Sequence, residues 1–126
     1  MTDITPILFC IIIAGLVLFQ ITLALGAPLG KYAWGGQHII LPRKLRISSL
    51  SSVVIYLFFT IIILDRAGIL ELINNQFFVD IATWVLVGYF WLGVLMNAVS
   101  RSKPERNLMT PVALALAILT TLIAVS

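Results

Sequence analysis

The chain has 126 residues, of which 61% are hydrophobic and 10% charged, with a net charge of +3 from eight Lys and Arg against five Asp and Glu. Soluble domains carry about a quarter charged residues, and a chain this short leaves too much of its area exposed to hide that apolar content from water. The composition therefore excludes an ordinary soluble domain and points to a bilayer as the solvent.

Crossing about 30 Å of hydrocarbon at about 1.5 Å per residue takes about 20 apolar residues. Four segments meet that requirement. The first covers about residues 6–26 and opens on Pro6, which suits a first helical turn. The second covers 47–64 and is stopped by Asp65 and Arg66. The third covers 77–99, with Asp80 near its start as its one charge, and the fourth covers 108–125. Long unbroken apolar runs predict helices, because a lipid-exposed backbone must satisfy its own hydrogen bonds. The two-residue alternation of a membrane barrel is absent. The fold expected is an all-α membrane protein: one domain, an antiparallel four-transmembrane-helix bundle.

Orientation follows from the basic residues. Lys31, Arg43, Lys44 and Arg46 fall in the loop 27–46, and Arg101, Lys103 and Arg106 in the loop 100–107. Between spans two and three only Arg66 stands against Asp65, Glu71 and Asp80, and the N-terminal tail has Asp3 and no basic side chain. The positive-inside rule places both basic loops in the cytoplasm and both termini outside, N-out/C-out. A cleaved signal peptide ending near residues 24–26 would need a basic leader, which is missing. These charges are thus a topology signal, and no nucleic-acid partner is expected.

The first loop carries the densest set of candidate residues. Gly26, Gly30, Gly35 and Gly36 permit tight turns, while Pro28 and Pro42 fix direction. At residues 27–46 it is long for two helices in a bundle, where connections run about 2–8 residues, and long loops are often functional. Tyr32 and Trp34 suit the headgroup level. Lys31, Trp34, Gln37, His38, Arg43 and Arg46 are candidates for holding a lipid phosphate, a carboxylate or a small anion, with Trp34 fixing its depth. The alternative for the same residues is an interfacial anchor that touches anionic lipid without specificity. The loop is no P-loop, since Gly30-Lys31 is followed by Tyr32 rather than Ser or Thr. His38 is the one histidine and Cys10 the one cysteine, so neither a metal centre nor an intrachain disulfide is expected, and no cofactor.

Within the spans, Ser49, Ser52, Tyr56 and Thr60 share one helix face, and Tyr89, Gly93 and Asn97 share another. Gln20 and Thr22 add polar groups to the first helix. Such side chains are expected to turn inward and bond across helices, or else to line a cavity open to the cytoplasm. Tyr56 and Asn97 are its candidate lining residues. On the fourth helix Ala113, Ala117 and Thr121 recur every four residues, with Thr120 and Ala124 alongside, a face suited to packing in the bundle or to joining two copies. Asp65 and Arg66 have Asp80 or Glu71 as expected partners near the outer surface. No carboxylate sits at the middle of a span, where proton-coupled carriers place one, and no catalytic dyad is evident.

Several short runs, Gly26-Ala27-Pro28 with Gly30, Ala33-Trp34-Gly35-Gly36, Leu41-Pro42 with Leu45-Arg46, Arg66-Ala67-Gly68, Asn97-Ala98 with Ser100, Ser102, Glu105 and Arg106, and Thr110-Pro111-Val112-Ala113, are carried over most of the chain. In these runs the sequence resembles a family of small bacterial four-span integral membrane proteins. The resemblance implies a bacterial inner-membrane location and brings no activity with it. The expectation is a non-enzymatic protein that binds or transports a lipid or small anion, with membrane lipids and a second copy of itself as partners. The alternative is an accessory subunit that stabilises a larger membrane complex through the small-residue face.

Overall fold

The computed structural model describes residues 4–126, which are helical with no strand among them. Four helices, α1 (Ile4–Ala24), α2 (Arg43–Arg66), α3 (Gln76–Ala98) and α4 (Lys103–Val125), are joined by loops, the first of which holds two 3₁₀ turns, Gly30–Tyr32 and Trp34–Gly36. Each of the four is long and apolar enough to cross a membrane. In no helix is more than 28% of the apolar stretch buried inside the protein. The remaining Leu, Ile, Val and Phe side chains look outward, a surface that suits hydrocarbon and not water. Asp3, on which part of the orientation argument rests, lies outside the described residues.

α2 and α4 overrun their apolar stretches, whereas α1 ends at Ala24, two residues before the expected 26. α4 begins at Lys103 rather than near residue 108, because Ser102 caps it: the Glu105 N–H donates to Ser102 Oγ at 3.3 Å, and Pro104 fits the first turn. α2 begins at Arg43, after Pro42 in an extended conformation. The basic loops are accordingly shorter than the sequence led us to expect, 25–42 and 99–102 instead of 27–46 and 100–107. α3 starts behind Asn75, whose side chain accepts from the Phe78 N–H at 3.0 Å.

One hydrophobic core joins all four helices through Phe9 and Ile13, Ile63, Leu86 and Phe90, and Leu116, Ala117 and Ile123. α3 and α4 form the most extensive pair. Their approach uses the small face of α4, where Ala113, Ala117, Thr120 and Ala124 are all buried. Those four residues are therefore occupied within the protomer.

The hydroxyls do less across helices than the sequence led us to expect. Ser48, Ser51, Ser52, Thr60, Thr83 and Thr120 each donate to a carbonyl four residues back in their own helix. That carbonyl is always within reach in a helix, so no neighbour is needed. Trp91 Nε1–H to Thr121 Oγ1, at 2.9 Å, is a side-chain bond that does link two helices.

The two ends of the bundle are tied by arginines. At one end Arg46 Nε donates to the Ala24 carbonyl at 2.9 Å, capping α1 with a cation where the helix dipole favours one. At the other, Arg66 Nε lies 3.2 Å from Asp80 Oδ1, and its Nη2 donates to the carbonyls of Ala124 (3.1 Å) and Ser126 (3.0 Å). Asp65 instead accepts the Leu72 and Ile73 N–H groups at 3.0 and 2.9 Å, shaping the 67–75 connection. Arg66→Ala should lower stability by about 2 kcal/mol, mainly through the uncapped carbonyls of α4. Asp80→Asn should cost well under about 1 kcal/mol, because the Asp80 side chain is 47% exposed and its ion pair is open to solvent. Unfolding in graded denaturing detergent checks both.

Candidate functional site: a cavity beneath the first loop

The first loop folds down over one end of the bundle. Gly30 N–H donates to the Ile39 carbonyl at 2.8 Å, closing the segment on itself. Leu23, Ala33 and Leu41 form a small apolar cluster with Phe19, Leu29 and Leu45, which fastens the loop to α1 and α2. Ser102 Oγ donates to the Lys31 carbonyl, so the loop also touches the turn between α3 and α4.

Trp34 sits in this loop with φ of +52°. A bulky residue rarely adopts the left-handed region, and holding one there costs about 1–3 kcal/mol. The indole is fixed by its Nε1–H, which donates to the buried Ser49 Oγ at 3.1 Å. The strained backbone thus sets the ring over the bundle.

Under the loop lies a cavity of about 350 Å³ to which every helix contributes. α1 supplies Leu16, Phe19 and Gln20; the loop supplies Tyr32, Ala33 and Trp34; α2 supplies Ser52 and Tyr56. α3 adds Tyr89, Phe90, Gly93, Met96 and Asn97, and α4 adds Glu105, Met109, Val112, Ala113 and Leu116. Edge-to-face rings close its deep side: Phe59 to Tyr89 at 5.1 Å, Phe59 to Phe90 at 5.8 Å and Phe9 to Phe90 at 6.1 Å between centroids. A second cavity of about 160 Å³ lies at the opposite end, between Thr5, Pro6, Arg66 and Ile123. The core residues separate the two.

Three of the eight residues that the sequence put forward meet on the wall of the larger cavity: Trp34, Tyr56 and Asn97. Asn97 is oriented by donating its Nδ2–H to the Gly93 carbonyl at 2.8 Å. The other five do not line it. Lys31 is exposed, with its ammonium 5.2 Å above the Tyr32 ring centroid. Gln37, His38 and Arg43 are exposed on the outside of the loop and the start of α2. Arg46 is engaged with the end of α1. The basic side chains therefore form no common nest, because each faces outward or caps a helix.

Two residues matter more than the sequence indicated. Gln20 is only 8% exposed, neighbours Tyr56, and has its Oε1 buried without a hydrogen-bond partner. Glu105 is the one charged side chain among the described residues that line the cavity. The isolation of Gln20 in an apolar span was its visible signal. For Glu105 it was the Ser102-x-x-Glu105 spacing, which marks a helix start and so brings the carboxylate to the bundle. No group of three His, Cys, Asp or Glu side chains stands together as a metal site among the described residues.

An apolar, aromatic-walled hollow with a few placed polar groups is what small-ligand sites generally look like, and its volume is at the lower end of their usual range of about 300–1,000 Å³. No family model matches the chain, and neither a curated protein nor a solved structure is similar to it.

Proposed function

We propose that the protein is a non-enzymatic, multi-pass inner-membrane protein of the binding or transport type, whose ligand occupies the cavity beneath the first loop. In this reading the helices alternate in direction, both termini are outside, and loops 25–42 and 99–102 are cytoplasmic. The bacterial inner membrane is part of the proposal and rests on the resemblance read from the short sequence runs alone. Lys31, Arg43, Lys44, Arg101 and Lys103, all exposed, seat the cytoplasmic end against anionic headgroups. The observation that carries the reading is the cavity itself, with Trp34 strained into place above it and Gln20 Oε1 left without a donor on its wall. The accessory-subunit alternative would need a face other than the small stripe of α4.

Gly93 offers the test. A Cβ placed there meets nothing within 4 Å, and the residue lines the cavity. Gly93→Leu should fill the hollow without disturbing the helices. Gly88 also has nothing within 4 Å of its Cβ but lies on the exposed side, so Gly88→Leu is the control. Native mass spectrometry from nanodiscs should show a co-purifying small molecule on the unaltered chain and on Gly88→Leu. Gly93→Leu should retain it at least ten-fold less. Equal retention by all three, or no bound molecule on any, would remove the basis of the proposal.

A further inference from the structure

The lining of the cavity shows what kind of molecule it takes, and we infer that it is an organic cation: a protonated amine carried on an apolar, ring-sized body. This rests on the cavity being the binding place. The groups on its wall present negative charge or lone pairs. Glu105 supplies a carboxylate near the loop end, and Ser100 Oγ donates to its Oε1. No basic side chain pairs with it among the described residues, where the one ion pair, Arg66 with Asp80, is at the far end of the bundle. Its cationic neighbours in sequence form no ion pair with it: Arg101 and Lys103 are exposed, and Arg106 Nη1 donates to the Ser100 carbonyl at 3.0 Å.

Deeper in, Gln20 Oε1 lacks a donor. An ammonium or its N–H groups satisfy such an acceptor, whereas a carboxylate or phosphate would only repel it. Trp34, Tyr56 and Tyr89 add aromatic rings to the lining, and ring faces attract cations and reject anions through the same quadrupole, as the Lys31 ammonium over the Tyr32 ring illustrates. An anion entering this space would meet none of Lys31, Arg43 or Arg46. The basic rim and the acidic, aromatic interior thus address different partners: the rim meets lipid headgroups, and the interior meets the ligand.

The experiment uses three probes with one body and three heads: para-fluorinated phenylbutylammonium, phenylbutanol and phenylbutanoate. Each is titrated at neutral pH by fluorine NMR against the protein in phosphatidylcholine nanodiscs, with empty nanodiscs subtracted. The ammonium should bind saturably and at least ten-fold more tightly than the other two. Glu105→Gln should erase that preference while leaving the alcohol unaffected, and Gly93→Leu should abolish ammonium binding. If the alcohol or carboxylate binds saturably and as well as the ammonium, the cation assignment falls and the cavity reading stands. If none of the three binds saturably, both fall. The wild-type comparison alone separates these outcomes should Glu105→Gln fold poorly.

Discussion

Gly30→Ala should unfold the first loop while leaving the four helices intact. A methyl group at this position overlaps the His38 carbonyl oxygen and lies 2.7 Å from the Ile39 carbonyl oxygen. These are backbone atoms, so no side chain can swing aside. Relief requires the 30–39 segment to open, which also breaks the Gly30 to Ile39 hydrogen bond. Overpacking usually costs about 1–3 kcal/mol, and a backbone overlap belongs at the upper end or beyond. The loss is local, because Gly30 touches the loop and not the core, and local units can open with the rest folded. Helical circular dichroism should be unchanged. Protease cleavage within residues 25–42 should rise sharply, and ligand retention should fall with it, since the loop supplies Tyr32, Ala33 and Trp34 to the cavity. Undiminished protease resistance in this variant would contradict the loop closure.

Ala117→Leu should be the most damaging change among the membrane helices. Ala117 has no exposure and belongs to the core with Phe9, Phe90 and Leu116. Its carbonyl also accepts from Thr120 and Thr121. Three additional carbons there force α3 and α4 apart, at about 2–3 kcal/mol. The next residue, Ile118, lies on the outer face and is 44% exposed, and Ile118→Leu should change little. The two variants are compared by unfolding in graded denaturing detergent. If the stripe instead joined two copies, Ala117→Leu would convert dimer to monomer with the protomer's stability unaltered, so the oligomeric state should be recorded in the same samples.

The four spans were legible because the bilayer imposes one strong rule, a long apolar stretch with almost no charge, and residues 6–26, 47–64, 77–99 and 108–125 obey it with Asp80 as the one exception. The helix ends were less so. Outside hydrocarbon a helix needs no apolar residues, and α4 extends back to Lys103 on a Ser102–Glu105 cap that hydropathy does not register. Arginines were harder still. Arg46 and Arg66 have the same composition signal as Arg43, yet they serve helix ends, and which one caps depends on where a neighbouring helix stops. Lys31, Gln37 and His38 shared a loop with Trp34, but only the left-handed turn at Trp34 decides which side chain goes under it. The cavity could be anticipated from Tyr56 and Asn97 only as one of two possibilities. It exists because small side chains at Ser52 and Gly93 face large rings that cannot close the gap, and such a mismatch is a property of packing.

The most direct measurement compares two adjacent serines of α2. Ser52 lines the cavity, whereas Ser51 is exposed on the outer face of the helix, which lipid would cover. In a Cys10→Ala background, Ser52→Cys and Ser51→Cys are treated with a membrane-impermeant thiol reagent from each side of sealed vesicles. A hollow open beneath the first loop predicts that Ser52→Cys reacts, only from the cytoplasmic side, and that Gly93→Leu suppresses the reaction, while Ser51→Cys stays unmodified. Equal reactivity at the two positions, or labelling of Ser52→Cys from the outside, would contradict the cavity and the orientation proposed for it.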